Sequence, residues 1–263
     1  MNHECNSIER ITSFLSDIQV LRISNYAIST RYLRTFGHLK KLKSFGSSNY
    51  FQSTRFYIEE VHLRYVLKFA QCLTNLEQLT TYCDDEFYDD SFLVESQLPI
   101  FGNLLHLELV DASNDGSTFT KFLNLCPNLL NLSLTVFYAK INRIRQINRN
   151  FNVQRLDLRF YLDRENILKF MEKFPNCRYL SISSLSLSRQ DLIQIISTLP
   201  HLSLLHAKDN WIDLAKIQIK NYCHSQNPKI DVYFGSTDEK LMMSHELYRK
   251  FRNSFLPFIK SGS

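Results

Sequence analysis

One short phrase recurs five times between Leu104 and Asn210, and it constrains this chain more than any other feature. It reads Leu104-x-x-Leu107-x-Leu109, Leu129-x-x-Leu132-x-Leu134, Val153-x-x-Leu156-x-Leu158, Cys177-x-x-Leu180-x-Ile182 and Leu202-x-x-Leu205-x-Ala207. Successive central residues stand 25, 24, 24 and 25 positions apart. A fixed period of this length marks a stacked array. In a strand, side chains alternate between faces, so Leu107 and Leu109 point one way while His106, Glu108 and Val110 point the other. A coil that buries a single strip of leucines cannot close a core alone. It must lie on the next coil, which gives a parallel sheet along one edge of a solenoid.

With 263 residues and 44% hydrophobic content, the chain has ample material for one such array, which escapes the usual size limit of a single core. Only 6 glycines argue against Gly-rich phosphate loops, and 20 Phe with 13 Tyr predict an aromatic core. The six cysteines are scattered without a CxxC pair, as expected in a reducing compartment. Cys177 takes a leucine's place in the phrase and reads as a small buried apolar residue. Cys223 and His224 have no second Cys/His cluster at ligand spacing, so neither a metal nor a cofactor is expected. Residues 1–17 lack the basic start and apolar run of a signal peptide. Residues 122–139 are uncharged, but Asn124, Pro127, Asn128 and Asn131 interrupt them at a repeat junction, against a membrane span. The sequon at Asn131 is discounted on the same grounds, and the expected location is cytoplasmic or nuclear.

Taken in order, residues 7–15 carry Ile8, Ile11, Phe14 and Leu15 at helical spacing and run into Ile18-x-x-Leu21-x-Ile23. A short helix over 29–36 precedes Leu39-x-x-Leu42, a weaker strand ending near Phe45, and a polar, aromatic insertion over 46–57 follows. Residues 61–73 form an amphipathic helix, and Leu76-x-x-Leu79 continues the series with Thr81 in third position. The carboxylates Asp84, Asp85, Glu86, Asp89 and Asp90 lack the EF-hand pattern and read as a solvated loop, or as an acidic contact for a basic partner. Helices are expected over 164–174 and 189–199, the second opened by Ser188 and Asp191 in the manner of a capping box. Pro127, Pro175 and Pro200 recur at junctions, where proline ends the preceding helix. Ile230-x-Val232 adds a last strand. The expected organisation is a solenoid over 1–235, irregular over 1–100 and regular over 101–235. A C-terminal amphipathic capping helix and tail occupy 236–263, with Met243, Leu247, Phe251 and Phe255 recurring every fourth residue.

No nucleophile elbow, paired zinc ligands, phosphate loop or dinucleotide fingerprint is present, so no catalytic residue is assigned. The candidate site is the outward face of the sheet. Its residues are His106, Glu108 and Val110; Asn131, Ser133 and Thr135; Arg155, Asp157 and Arg159; Tyr179, Ser181 and Ser183; and Leu204, His206 and Lys208. Of these, His106, Glu108, Asn131, Arg155, Asp157, Arg159, Tyr179, His206 and Lys208 are the expected partner-binding residues, since Arg and Tyr combine contact area with directed hydrogen bonds. The net charge of +5 raises nucleic acid as an alternative partner. Against it, Arg143, Arg145 and Arg149 are expected on a helix and Arg155 and Arg159 on a strand, which separates them onto opposite faces.

The Cys-Pro-Asn-Leu-x-x-Leu-x-Leu style of residues 126–134, the period and the irregular aromatic coils resemble the repeat region of F-box leucine-rich-repeat proteins. The likeness runs from Ile18 to Val232 and is closest from Leu104 onward. It implies an α/β leucine-rich-repeat solenoid of about eight or nine coils, a curved horseshoe with parallel strands on its concave face and helices on its convex face. Asn210 matches the asparagine common at the ninth repeat position, whereas Ala112, Phe137, Tyr161 and Leu185 do not. The resemblance implies a non-catalytic module that holds a protein partner on the sheet, as the substrate-recognition part of a ubiquitin ligase receptor. No F-box precedes Leu21 in this sequence, so a cullin-ligase adaptor is implied as partner only if an upstream F-box exists.

Overall fold

A computed structural model describes residues 20–23, 44–47, 63–68, 73–83, 99–111, 116–137, 140–160, 164–183, 187–208 and 211–235. The features expected over 7–15, 29–36, 84–90 and 236–263, and the one at Asn210, lie outside them. Nine strands are found among the described residues: β1 Val20–Ile23, β2 Ser44–Ser47, β3 Gln78–Cys83, β4 His106–Asp111, β5 Asn131–Val136, β6 Arg155–Phe160, β7 Tyr179–Ser183, β8 Leu204–Ala207 and β9 Asp231–Phe234. They form one open sheet in sequential order, and every neighbouring pair is parallel. A parallel pair needs a crossover between its strands. Six helices are described: α1 Leu63–Lys68, α2 Ser117–Asn124, α3 Ile141–Arg145, α4 Arg164–Met171, α5 Arg189–Thr198 and α6 Asp213–Ser225. The fold is therefore α/β with a repeat-like parallel sheet. No helix among the described residues is long and apolar enough to cross a membrane; the uncharged run of 122–139 ends α2 and then forms β5.

The leucines align as the period requires. Leu79, Leu107, Leu132, Leu156, Leu180 and Leu205 are successive register partners, all at most 1% exposed. Two registers differ from expectation. In β2 it is Phe45, not Leu42, that stands between Leu21 and Leu79, which puts Phe45 24 positions after Leu21 and restores the regular period there. In β9 it is Val232, not Ile230, that faces Leu205.

The other side of the core comes from helices whose apolar residues fall three and four apart. Phe119, Phe122 and Leu123 of α2, Ile167, Phe170 and Met171 of α4, and Leu192, Ile195 and Ile196 of α5 are buried against the leucines. Gly116 caps α2 at a φ of 72°, a backbone shape that suits glycine. Helix α5 opens with a complete capping box, in which the Ser188 hydroxyl accepts from the Asp191 N–H and the Asp191 carboxylate accepts from the Ser188 N–H. Asp191 also meets Arg164 of α4 at 2.5 Å, so one buried carboxylate ties two coils. Helix α4 stops at Met171 because the N–H groups of Lys173 and Phe174 turn back to Phe170 and Met171, tightening the last turn. Among the described residues, Cys83, Cys126, Cys177 and Cys223 are all buried. Burial pushes the Cys177 thiol up to about 12.

The coils are also stitched by an asparagine ladder. Asn103, Asn128, Asn152 and Asn176 each precede the first residue of a repeat phrase. Their side-chain amides donate to the carbonyls of Thr74, Gly102, Pro127 and Phe151 in the preceding coil, at 2.8, 2.8, 3.1 and 2.8 Å. A backbone ladder runs beside it: the Leu130 carbonyl accepts from Gln154 and Arg155, and the Gln154 carbonyl from Arg178 and Tyr179. An asparagine one position before the phrase thus satisfies backbone acceptors that strand pairing leaves open. Replacing Asn176 by Ala is expected to cost about 1 kcal/mol in urea unfolding, the net worth of one such bond. The same change at exposed Asn221, on the outer face of α6, should cost nothing measurable.

Candidate functional site

Strand alternation and the coil register together lay the outward side chains in rows across the sheet. The first row runs His106, Asn131, Arg155, Tyr179, Leu204 and Asp231. The second runs Glu108, Ser133, Asp157, Ser181, His206 and Tyr233. A third holds Val110, Thr135, Arg159 and Ser183. Lys208 follows β8, where its N–H donates to the Ile182 carbonyl. All nine candidate residues therefore share this face, and row neighbours stand about 4.8 Å apart between strands.

Their surroundings differ. The Asn131 amide donates to Nδ1 of His106, and Asn131 is only 7% exposed. Burial, and then the nearby Arg155 guanidinium, lower the His106 pKa, so its ring is neutral at pH 7. Arg155 lies over the Tyr179 ring, 5.4 Å from its centroid, a stacked cation on an aromatic face. The Lys208 ammonium reaches across β7 to the Asp157 carboxylate of β6 at 2.5 Å. That span covers two strand spacings, about 10 Å. It is open to a lysine because β7 carries only Ser181 and Ser183 beneath it.

His206 is on the face but has no exposed surface. Its Nε2–H donates to the Gly235 carbonyl at 2.8 Å, leaving Nδ1 to accept from the Ser181 hydroxyl at 3.3 Å. The Tyr233 ring covers it with centroids 5.0 Å apart. Burial holds its pKa down to about 4. Ser181 is likewise 0% exposed, so this Ser–His contact holds β7, β8 and β9 together and meets no solvent. Tyr233 and Gly235 are missing from the sequence-derived face because that face stops at β8, and only the pairing of Val232 with Leu205 brings Tyr233 opposite His206. Arg149, expected on a helix with Arg143 and Arg145, lies instead in the turn after α3.

What remains at the surface between β4 and β8 is a polar sheet with stacked Arg155, the Arg159 guanidinium and a neutralised Lys208–Asp157 pair. Such a surface offers directed hydrogen bonds and positive charge to an extended segment laid across the strands. No group of three or more His, Cys, Asp or Glu at metal-holding spacing occurs among the described residues.

No protein-family profile matches the chain, and no curated protein matches it. Among solved structures, the crystal structure of a protein from Bacteroides fragilis is similar at 16% identity, covering 68% of this chain and 70% of that one. Its TM-score of 0.34 carries no argument. The repeat architecture accordingly rests on this chain's own features: nine parallel strands in sequential order, with the leucine phrases in register.

Proposed function

We propose that the chain is a leucine-rich-repeat solenoid, about nine coils long, acting as a non-catalytic module that holds a protein partner on its sheet face. The observation that supports this most is the alignment of polar side chains into rows across several coils, since a continuous surface lets one partner segment contact many coils at once. Arg155 stacked on Tyr179 has the composition of an interface anchor. The scattered cysteines, without a CxxC pair, accord with a cytoplasmic or nuclear location.

Within this reading the chain serves as a substrate receptor of the F-box leucine-rich-repeat kind, with a cullin-ligase adaptor as a second partner where an F-box lies upstream. The intact mass of the protein purified from its native cells, with its co-purifying proteins, tests that role. An adaptor retained by a protein heavier than 31.1 kDa supports it, and a matching mass without the adaptor removes it.

Charge reversal of Arg155 and Arg159 to Glu tests the face itself. Both side chains are only partly buried, so folding should be unchanged. Partner recovery in affinity purification is expected to fall at least tenfold, on the order of 1.4 kcal/mol or more of binding. Full recovery with both charges reversed would move the site off this face.

A further inference from the structure

The helical side of the molecule carries a second feature that partner docking on the sheet does not use. Over both faces together, residues 112–235 hold 16 Lys and Arg against 9 Asp and Glu, a surplus of +7 that the whole-chain value of +5 conceals. Arg149 stands one 24-residue period before Lys173, and Arg145 one period before Lys169, so adjoining coils stack cation beside cation. The structure brings them together. The Lys173 ammonium donates to the Arg145 carbonyl at 2.9 Å, and the Asn150 N–H donates to the Lys173 carbonyl at 2.8 Å. Burial first, and then Arg149 and Lys169, lower the Lys173 pKa, while Glu172 opposes them. Glu165 sits 3.7 Å from Arg145 and Glu172 2.9 Å from Lys169. Exposed Arg149 has no ion-pair partner among the described residues. An anion settling on this edge would relieve the crowding.

An aromatic residue that the core does not take up follows Arg149 in the chain. Phe151, two residues after Arg149, is 57% exposed, although comparable rings such as Phe119, Phe122, Phe170 and Phe174 are buried. Its carbonyl accepts from Asn176, which places Phe151 on the same helix-to-strand edge as 173–176. An exposed apolar ring two residues from the exposed Arg149 guanidinium, within a cluster of cations, is the arrangement that takes a nucleobase on the ring and its phosphates on the cations. Duplex nucleic acid keeps its base faces stacked and has no use for the ring.

We propose that this edge, formed by Arg145, Arg149, Phe151, Lys169 and Lys173, binds single-stranded nucleic acid through one stacked base and its flanking phosphates. The site is independent of the sheet face. The separation of helix and strand arginines argued against a groove built from both, but the second half of this cluster comes from the next coil.

The test is fluorescence anisotropy with labelled oligouridine and oligothymidine of about 20 nucleotides, and a duplex of equal length, at about 50 mM salt. At least one single strand should bind saturably and more tightly than the duplex; the two probes separate RNA from DNA as the natural ligand. Phe151→Ala, at an exposed position that leaves folding intact, should weaken single-strand binding about fivefold or more. Arg149→Gln with Lys173→Gln should flatten the slope of log affinity against log salt by about 1.4. Arg149→Gln alone, which removes no intramolecular bond, should flatten it by about half as much. The sheet variant Arg155→Gln with Arg159→Gln should bind as the parent does. The proposal is overturned by absence of saturable binding to both single strands, by a duplex that binds as tightly, or by Phe151→Ala leaving affinity unchanged. It is equally overturned if the sheet variant, and not the edge variant, changes the salt slope.

Discussion

Replacing Leu156 by Ala is expected to destabilise the protein by about 2–5 kcal/mol, more than the loss of any one polar contact between the coils. Leu156 is fully buried at the centre of β6, with Leu132 and Leu180 as its register partners on either side. Removing its branched end leaves a cavity bounded by two neighbouring coils. In a stacked array each coil is stabilised by the contact with its neighbours, so the loss should spread along the array. Urea unfolding should show the lowered midpoint, and amide exchange should show faster opening in β5 and β7 as well as β6. A change below about 0.5 kcal/mol, the size of an ordinary surface effect, would contradict this packing.

Acid should loosen the end of the sheet at β9. His206 is buried as the neutral ring, with its pKa held down to about 4 from 6.5. The groups facing it are Ser181 from β7, Gly235 and Tyr233 from the last coil, and the Lys208–Asp157 pair. The Gly235 carbonyl and Asp157 favour the proton, Lys208 opposes it, and burial outweighs them. The unfolded chain takes up a proton near pH 6.5, whereas the folded ring refuses it until about pH 4. Stability from this group is therefore intact above 6.5 and is lost as pH falls, by about 2 kcal/mol at pH 5 and about 3 kcal/mol once pH passes 4. His106, lowered for similar reasons, acts in the same direction, so the His206 share is read by difference. His206→Gln should be less stable than the parent at pH 7 but show a shallower loss of stability between pH 7 and 5. Equal slopes for the two proteins would mean that His206 meets solvent.

The fold was legible wherever burial selects residue type at a fixed spacing. Leu107, Leu132, Leu156, Leu180 and Leu205 announce their strands because each must fill the same slot in the core. The register of β2 was not legible, because Leu39-x-x-Leu42 and Leu42-x-x-Phe45 are equally plausible on sequence and only pairing with Leu79 chooses between them. The asparagine ladder is in plain view at Asn128 and Asn176, but asparagine is common in any turn, and only the coil register shows which carbonyl each amide reaches. Helix α6 is hidden in the sequence because its buried residues Ala215, Ile219 and Cys223 are small or sparse, while Leu214 and Ile217 face outward at 62% and 56% exposure and blur the apolar stripe.

For the candidate site, alternation alone placed the nine residues on one face. What they do there depends on neighbours that alternation does not specify. Lys208 pairs with a carboxylate 51 positions away because serines lie between them, and His206 is covered because β9 brings Tyr233 beside it. The cation edge at Arg149 and Lys173 needs the coil register before two residues 24 apart are seen as neighbours.

The central claim, that a protein partner lies on the sheet face, is tested most directly by site-specific photo-crosslinking in native cells. A photo-activatable residue placed at Ser133 or Ser183, both partly exposed between the strands' anchor residues, should crosslink to the same protein from both positions. The same residue placed at exposed Asn221 on the outer face of α6 should not. Crosslinks to one protein from Asn221 with none from Ser133 or Ser183 would contradict the account and put the docking surface on the helices.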